Sequence, residues 1–521
     1  MTADRVSVRC RGLFLSAEFH RDRKEEKTLK QTTIDEVRRL AQEHEEARLI
    51  PICRELLSDI RTPLEVLRAF MNVDEHCFIL ESAEDKRSMG RYTFLGYDPR
   101  MELVCKDHEL MVGAGGTIRM HTDHPGTYLR QVIQDNRSVR VPGMPPFTGG
   151  LVGYFSYDYM KYGEPSLKLV EGGEDSFRDM DLMLFDKLVC FDHYDKKLYL
   201  IANVRTDSVE ENYNKAVLSL NTMEKIIRTG SQKTPPRGHL AGPLTLAFSE
   251  EEYCRKVEQV KEHIFEGDIF QLVLSNPMRA PYEGSLFNTY RILRTTNPSP
   301  YMFYFSGKDV EIAGASPETL VKIEDGTIRT FPLAGTRPRG RTDAEDKALE
   351  EGLLADEKEC AEHNMLVDLG RNDLGRVCSF GSVKVEKYME IERYSHVMHI
   401  GSCVVGQIAD EKFDAVDAVD AVLPAGTLSG APKIRACQLI NELEGDKRGL
   451  YGGAVGYLDF TGNLDVCIAI RLAYRHNGQV TVRTGAGIVA DSVPENEFQE
   501  CRNKAAAVVQ ALQLAEEVED A

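Results

Sequence analysis

Four glutamates stand in two pairs with the same spacing. Glu359 and Glu362 lie three residues apart in one helical stretch, and Glu497 and Glu500 repeat that spacing near the C-terminus. Side chains three residues apart share a helix face, so each pair presents two carboxylates in one direction. Mg²⁺ binds such hard oxygen ligands, typically one or two carboxylates together with substrate oxygens. The alternative is a solvated face, which is usual for glutamates in a chain of net charge −19.

Three glycine-rich segments would let a ligand approach the main chain closely. They are PLAGTRPRGR (332–341), PAGTLSGAPK (424–433) and RTGAGIV (483–489). The second runs directly into a predicted helix N-terminus, whose free N–H groups attract anions. It lacks the G-x-x-x-x-G-K-[ST] spacing of a nucleotide-binding P-loop. Each segment can also be an ordinary tight connection between elements.

Two polar residues interrupt apolar text. His399 lies in SHVMHIGSCVV, and Arg471 lies in LDVCIAIRLAY. A guanidinium in so apolar a strand needs a carboxylate partner, from the protein or from a ligand. A lone histidine can equally be a satisfied core residue. These residues, with the glycine segments and the glutamates, indicate a site for a small polyanion with Mg²⁺ as a candidate cofactor, but they define no reaction.

Composition excludes several classes of partner. The chain has 521 residues, 64 Lys and Arg against 83 Asp and Glu, and a net charge of −19, so a nucleic acid would be repelled. No apolar run approaches the ~20 residues of a membrane-spanning helix. The twelve cysteines are scattered and form no C-x-x-C pair. They are typical of reduced thiols in a cytoplasmic protein.

The chain divides at a segment rich in Pro, Gly and polar residues. We predict an N-terminal extension of uncertain order (1–31), an N-terminal domain (32–228), a linker (229–244) and a C-terminal domain (245–521). Strand text mixed with helices, without regular βαβ alternation, predicts an α+β fold of layered sheets flanked by helices.

Several elements can be placed from local signals. Helices are expected from about Thr33, over 210–227, after a capping box of Ser249 and Glu252, over about 356–372, and from Pro432 and Pro494. Strands are expected between 77 and 199 and, in the C-terminal half, at 268–275, 301–306, 310–316 and 327–336. GGLVGYFSYD (149–158) and GGAVGYLDFTG (452–462) echo one another, either as related elements or by chance.

Long segments of the C-terminal half resemble the chorismate-binding enzymes, and within them the large, aminating subunits of anthranilate synthases. The matching segments cover nearly all of 245–510. They are NPSPYMFYF, AGASPETLVK, PLAGTRPRGR, EKECAEHNMLVDLGRNDLGRV, ERYSHVMH, GTLSGAPKIRACQLI, YGGAVGY, LDVCIAIR and TGAGIVADSVPENEFQECRNKA. The N-terminal half is similar only through LIPICREL, CFILESAE and GRYTFLGYDP, and 1–31 match nothing. The resemblance implies two domains of sheets flanked by helices.

The resemblance also implies a role for each site residue. It implies Mg²⁺ held by Glu362 and Glu500, with Glu359 and Glu497 nearby, and gripping the ring carboxylate of chorismate. It implies Arg471 and Tyr451 on the enolpyruvyl carboxylate, and a backbone cradle from Gly335, Thr336, Gly485, Ala486 and Gly487. Catalytic roles fall to Glu318 as general acid for the departing 4-hydroxyl, to His399 in pyruvate loss and aromatisation, and to Thr427.

Two departures from other family members select the nucleophile. Relatives that attack with a lysine carry it where this chain has Ala334, and relatives that activate water carry a lysine base where this chain has Gln271. Neither residue present can do that chemistry, which leaves ammonia. The resemblance then implies a separate glutamine amidotransferase subunit as the ammonia source, and anthranilate and pyruvate as products. An aminodeoxychorismate synthase component I and a non-catalytic binding relative remain as alternatives.

The family's N-terminal half also carries a tryptophan feedback site. The residues that match it are Ser82, Pro300, Tyr301 and Met302. An aromatic ring and a methionine suit an indole, so the resemblance implies tryptophan as inhibitor and a regulatory role for 32–228. Without the resemblance, Tyr301 and Met302 would be assigned to the core.

Overall fold

The computed structural model describes residues 30–83, 89–170, 177–393, 397–409 and 412–518. Most of the predicted extension, residues 1–29, therefore lies outside the described residues. Lys30 and Gln31 already belong to the fold, because the Lys30 carbonyl accepts from Glu55 N–H at 2.9 Å and Gln31 bridges Arg54.

The described residues form both helices and strands. The helices are α1 (Ile34–Glu43), α2 (Pro63–Met71), α3 (Pro125–Asp135), α4 (Met160–Gly163), α5 (Val209–Thr229), α6 (Glu250–Phe265), α7 (Phe287–Thr296), α8 (Asp343–Leu354), α9 (Glu357–Gly375), α10 (Ala415–Val422), α11 (Lys433–Glu444) and α12 (Pro494–Leu514). The strands of the N-terminal half are β1 (Leu49–Leu57), β2 (Cys77–Glu81), β3 (Tyr92–Tyr97), β4 (Met101–Lys106), β5 (Glu109–Gly113), β6 (Thr117–His121), β7 (Gly150–Phe155), β8 (Met180–Phe185), β9 (Lys187–Asp192) and β10 (Lys197–Arg205). Those that follow are β11 (His239–Leu240), β12 (Thr245–Leu246), β13 (Gln271–Glu283), β14 (Tyr301–Ser306), β15 (Val310–Ser316), β16 (Thr319–Glu324), β17 (Thr327–Thr330), β18 (Leu333–Pro338), β19 (Lys384–Arg393), β20 (Val397–Gln407), β21 (Gly430–Ala431), β22 (Ala454–Asp459), β23 (Leu464–Ile468), β24 (Leu472–His476) and β25 (Gln479–Ile488).

The strands form two large sheets with antiparallel ladders. Sheet I has the order β1-β10-β9-β3-β2-β14-β15-β24-β25-β13-β11, with β12 and β21 also paired to β13. Sheet II has the order β18-β20-β17-β16-β23-β22-β7-β8-β4-β5-β6, with β19 also paired to β20. Both sheets contain strands from either side of 229–244, through the β2–β14 ladder in sheet I and the β7–β22 ladder in sheet II.

The sheets pack face to face between helices. Phe78 of sheet I meets Phe185 of sheet II edge to face, with ring centroids 4.7 Å apart, in an apolar layer between the sheets. Helices α1, α2, α5, α7 and α12 cover the other face of sheet I, and α3, α9 and α10 cover that of sheet II. The predicted α+β class, with layered sheets and flanking helices, is confirmed. Among the described residues, no helix is long and apolar enough to cross a membrane.

The echoed glycine segments are direct partners. In the β7–β22 ladder, Gly153 lies opposite Gly456, with φ angles of +154° and +155°. A Cβ added at Gly153 would lie 2.1 Å from the Asp181 carbonyl oxygen, and one at Gly456 would lie 2.1 Å from that of Asp465. Close approach of neighbouring strands therefore requires glycine at both positions.

The capping signals place helix starts well, whereas two strand boundaries were predicted wrongly. Ser249 and Glu252 form the expected capping box, and Pro494 opens α12. The strand predicted at 268–275 begins only at Gln271, because Asp268 N–H bonds the His263 carbonyl and so closes α6. The strand predicted at 327–336 is two strands, β17 and β18, separated at Pro332, whose carbonyl accepts from Ser402 N–H.

Candidate active site

Helix α9 carries the first pair of glutamates. Asp356 caps its N-terminus by accepting from the N–H groups of Lys358 and Glu359 at 3.1 and 3.2 Å. Gln271, buried on β13, donates its side-chain amide to Glu362 Oε1 at 3.0 Å. Burial raises the pKa of Glu362, and the negative charges of Glu359 and Glu500 raise it further. The carboxylate of Glu362 therefore lies within the field of glutamates from two different helices.

Helix α12 brings the second pair to the same place. Burial and the charge of Glu500 raise the pKa of Glu497, although the Ser492 side chain bonds it. Glu500 Oε1 is 2.6 Å from Lys504 Nζ, one turn along the helix. The charge of Glu500 on α12 thus acts on Glu362 across the gap between α9 and α12. Since nearby negative charges disfavour the charged forms of Glu362 and Glu497, the chemistry of this group fits a hard divalent cation.

The glutamates do not form a closed cage of ligands. Among the described residues, the group of three possible ligand side chains with atoms within 4.8 Å of one another is His263, Glu266 and Asp268. Asp268 there is already bound by Arg435 at 2.8 Å and by His263 at 2.9 Å. Glu362 and Glu500 would instead hold Mg²⁺ from two sides and leave positions for oxygens of a substrate, the arrangement that Mg²⁺ commonly adopts.

Glu318 is a buried carboxyl group held by a hydroxyl. It follows β15, and its main chain is fixed because the Ile468 N–H donates to the Glu318 carbonyl at 2.9 Å. Thr427, in a short 3₁₀ turn (Gly426–Leu428), donates its hydroxyl to Glu318 Oε1 at 3.2 Å. Burial raises the pKa of Glu318 to about 8, although the Thr427 hydrogen bond and the charge of Lys504 lower it. At neutral pH this carboxyl is mostly protonated, as a general acid must be.

His399 is fixed by the first glycine-rich segment. Strands β18 and β20 pair Thr336 with His399, with an irregularity between Ala334 and Thr336 where Gly335 takes a φ of +67°. His399 Nδ1 lies 2.9 Å from the Gly335 carbonyl oxygen and 3.2 Å from Thr336 Oγ1. A carbonyl only accepts, so Nδ1 carries the hydrogen and Nε2 is the basic nitrogen. Burial lowers the pKa of His399, as does the charge of Arg471, so the ring is neutral near pH 7.

Arg471 is a largely buried cation in a strained backbone conformation. Its φ is +53°, in the left-handed region. Its Nη1 donates to the Lys504 carbonyl at 2.7 Å, and no salt bridge to a carboxylate is found for it among the described residues. Burial lowers its pKa, while Tyr451 and Glu500 oppose that effect from nearby. A guanidinium in this state is able to donate to a further acceptor, such as a carboxylate.

The third glycine-rich segment offers an unpaired strand edge. Gly485, Ala486 and Gly487 on β25 lie opposite Ser275, Leu274 and Val273 of β13. On the other side, the ladder with β24 reaches only the Ala473–Val482 pair. Main-chain groups of 485–487 that point away from β13 therefore have no strand partner among the described residues. The Gly485 carbonyl, one of these groups, accepts from Lys504 Nζ at 3.1 Å.

Small residues are required along this edge. A Cβ at Gly485 would lie 2.9 Å from Tyr451 Oη, and one at Gly487 would lie 2.8 Å from Gln271 Nε2. Tyr451 therefore stands against the cradle and beside Arg471. Gly335 lies against another predicted residue in the same way, because a Cβ added there would be 3.2 Å from Glu359 Oε2.

The residues predicted for tryptophan lie elsewhere, on adjacent strands of sheet I. The Ala83 N–H donates to the Ser299 carbonyl at 3.0 Å, so Ser82 runs beside Pro300. Tyr301 faces the layer between the sheets, where its hydroxyl donates to Asp465 Oδ1 at 2.8 Å. Met302 faces the opposite core, under the helices. The two side chains thus point to opposite faces of the sheet.

Two features of the site were missed in the sequence. Lys504 joins Glu500 to the Gly485 carbonyl, and its i+4 spacing from Glu500 was a signal available in the sequence. A buried cluster behind Tyr451 is built from Glu444, Arg448 and Arg483; Glu444 and Arg448 also have the i+4 spacing, whereas Arg483 lies 39 residues from Glu444 and had no such signal.

Comparisons with known proteins identify the family of this chain. A family model described as chorismate binding enzyme matches residues 75–510. The chain is 42% identical over 495 residues to anthranilate synthase component 1 of Acetivibrio thermocellus, covering 93% of this chain and 99% of that protein. It is also 42% identical to the protein of that name from Aquifex aeolicus, covering 94% and 99%. The structure of anthranilate synthase component I from Streptococcus pneumoniae matches with a TM-score of 0.71 and 37% identity, covering 87% of this chain and 98% of that one. The resemblance predicted from the sequence is confirmed: this chain belongs to the family of chorismate binding enzymes.

Proposed function

We propose that this chain converts chorismate and ammonia to anthranilate and pyruvate. The observation that carries the proposal is the set of charges that Lys504 links. Its ammonium lies 2.6 Å from Glu500, its charge acts on the buried, protonated Glu318, and its carbonyl accepts from Arg471, for which the described residues offer no carboxylate in a salt bridge. A substrate with two carboxylates and a hydroxyl leaving group matches these three features. The names of the relatives point to the same reaction.

Glu362 and Glu500 would hold Mg²⁺, which supplies positive charge to the ring carboxylate when bound. Arg471 and Tyr451 bind the enolpyruvyl carboxylate, and the N–H groups of 485–487, with Gly335 and Thr336, orient the ring. Fixing two carboxylates in this way sets the reacting carbons against the catalytic side chains.

The chain's own residues then move the protons. Ammonia forms a bond to C2 while the C4–O bond breaks, and Glu318 protonates the departing hydroxyl to give water. The ammonium formed at C2 loses a proton, which restores Glu318. In the second step the Nε2 atom of the neutral His399 accepts the proton from C2 as the enolpyruvyl group leaves. The leaving group takes up one proton and becomes pyruvate, so this step loses and gains one proton.

We further propose that a partner subunit supplies the ammonia. Ala334 and Gln271 offer neither a nucleophile nor a base, so ammonia itself must attack. The relatives are called component 1, which implies a second component, and a glutamine amidotransferase fits the need for ammonia. Tryptophan inhibition through Ser82, Pro300, Tyr301 and Met302, with 32–228 as the regulatory part, belongs to the proposal as well. A cytoplasmic location is supported by the eleven free cysteines of the described residues.

The purified chain tests the reaction directly. With chorismate, Mg²⁺ and ammonium it should form fluorescent anthranilate, and with glutamine in place of ammonium it should form none. Chromatography of the product separates anthranilate from aminodeoxychorismate. Absence of any product, or an aminodeoxychorismate product, would overturn the proposal. A binding protein without turnover would give no product.

A further inference from the structure

A buried cluster of charges lies directly behind the active site. Glu444 at the end of α11 is fully buried and accepts from two arginines, Arg448 and Arg483, which are 1% and 3% exposed. Ser275 adds its N–H and its hydroxyl to Glu444 Oε1, both at 2.8 Å. Burial alone would raise the pKa of Glu444, but the two guanidiniums outweigh it, so the pKa is lowered. The carboxylate is therefore charged and fully hydrogen-bonded.

The two arginines share Glu444 but reach different places. Arg448 donates to Glu444 at 2.7 and 2.9 Å, to the Leu428 carbonyl at 2.6 Å and to the Val273 carbonyl at 2.7 Å. Arg483 donates to Glu444 at 2.8 Å, to the Ser275 hydroxyl at 2.8 Å and to the Lys447 carbonyl at 2.8 Å. Arg483 thus makes no contact with the turn that carries Thr427, whereas Leu428, which Arg448 binds, directly follows Thr427.

Arg448 also packs on two aromatic rings. Its guanidinium carbon lies 4.6 Å from the ring centroid of Tyr157 and 5.7 Å from that of Tyr451. Tyr157 is fully buried and forms a floor under the guanidinium. A planar guanidinium with fixed donors can hold a carbonyl and a ring at once, which a lysine ammonium cannot do.

We propose that Arg448 is a positioning residue that sets both the general acid and the carboxylate-binding tyrosine. By bonding the Leu428 carbonyl, Arg448 holds the turn that directs the Thr427 hydroxyl to Glu318. By packing its guanidinium against the Tyr451 ring, it holds that ring beside Arg471. Arg448 touches neither substrate nor metal. The inference rests on the proposed function for its catalytic consequences, but the positioning itself can be measured without turnover.

The matched pair Arg448→Lys and Arg483→Lys tests the inference. Both variants keep the charge and a contact with Glu444. Both also lose several of the guanidinium's hydrogen-bond donors, so both should lose thermal stability. Arg448→Lys should lower kcat by about tenfold to a hundredfold, the scale expected when a catalytic group is displaced, whereas Arg483→Lys, which keeps the bond from Arg448 to Leu428, should lose clearly less. Equal losses of kcat in the two variants would overturn the inference.

The pH profile separates positioning from a general weakening of the fold. The Thr427 hydrogen bond lowers the pKa of Glu318, and so does the positive charge of Lys504. If Arg448→Lys releases Thr427, the alkaline limb of kcat/KM moves to higher pH, as it should in Thr427→Val. The double variant should move it no further. An unmoved limb in Arg448→Lys contradicts the inference.

Hydrogen exchange measures the positioning without substrate. Amides of 426–429 should exchange faster in Arg448→Lys than in wild type. In Arg483→Lys their exchange rates should equal those of wild type. Should Arg448→Lys fail to fold, Tyr157→Leu removes the floor under the guanidinium without a buried charge defect and should give the same change. Equal exchange in wild type and the folded variant overturns the inference. If wild type makes no anthranilate but the exchange differs as expected, the proposed function fails and the positioning stands.

Discussion

The Thr427 hydroxyl donates to the Glu318 carboxyl across 3.2 Å, between a turn that follows α10 and the end of β15. The two residues are 109 positions apart in the chain. Their contact stabilises the charged form of Glu318, yet burial outweighs it and keeps the pKa near 8. The site therefore holds a proton at neutral pH and retains a hydroxyl ready to stabilise the carboxylate once the proton has left.

Glu318→Gln should retain the fold and lose turnover. The amide fills the same space but has no acidic proton for the departing hydroxyl, so kcat should fall by about 10²–10⁴-fold. Anthranilate fluorescence measures the loss, and circular dichroism with chorismate titration checks that folding and binding persist. Glu324→Gln, on the neighbouring strand β16 and in contact with Lys322, is the control and should keep its activity. Normal turnover in Glu318→Gln would remove Glu318 from the mechanism.

The pH dependence of kcat/KM should show an alkaline limb near pH 8. Burial raises the Glu318 pKa to about 8, so the active, protonated form is present below that pH and is lost as pH rises through it. Because the neutral fraction of ammonia increases with pH, rates must be divided by the concentration of neutral ammonia. A profile that stays flat to pH 9 after this correction would contradict the assignment.

Glu362→Gln should weaken Mg²⁺ binding as well as turnover. Loss of one of the two main carboxylates leaves Glu500 already paired with Lys504, and a single such group holds Mg²⁺ poorly. Calorimetric titration of Mg²⁺ into the enzyme with chorismate measures the affinity. Asp368→Asn, exposed on the same helix and paired with Arg371, is the matched control. Unchanged Mg²⁺ affinity in Glu362→Gln would place the metal elsewhere.

Arg471→Lys should act mainly on chorismate binding. A lysine keeps the charge but loses the paired donors that a carboxylate accepts, which costs about 1.5–3 kcal/mol, or about 10- to 150-fold in KM. Steady-state kinetics with varied chorismate gives KM and kcat separately. Arg475→Lys on the adjoining strand, whose partner is Glu311, should leave KM unchanged. A fall in kcat alone would assign Arg471 to the chemical steps instead.

Gly153→Ala should destabilise the central β7–β22 ladder. The added Cβ would lie 2.1 Å from a main-chain oxygen, at a φ that other residues avoid, so the cost should be about 2 kcal/mol or more. Urea unfolding measures it. Gly116→Ala, with no atom within 4 Å of the added Cβ, should be close to neutral. Equal midpoints for the two variants would show that the ladder relaxes.

Local signals in the sequence predicted part of this molecule well. Capping at Ser249 and the start at Pro494 depend on neighbouring residues alone, and the structure has both. The Glu362–Glu500 cluster was predicted through the resemblance, because spacing within each helix says nothing about which helices meet. The Arg448 cluster was not predicted: the i+4 spacing of Glu444 and Arg448 was available, but nothing in the sequence indicates that β13 and β25 bring Ser275 and Arg483 to the same carboxylate. The opposite orientations of Tyr301 and Met302 follow from strand alternation, which the short motif alone did not reveal.

The sharing of each sheet between both halves of the chain has a consequence for handling the protein. A protease that cleaves the chain within 229–244 would leave two fragments that remain associated through the β2–β14 and β7–β22 ladders. Such fragments should migrate as one particle on gel filtration and separate only in denaturant. Neither fragment expressed by itself would have a finished sheet, so each would expose open strand edges and tend to aggregate.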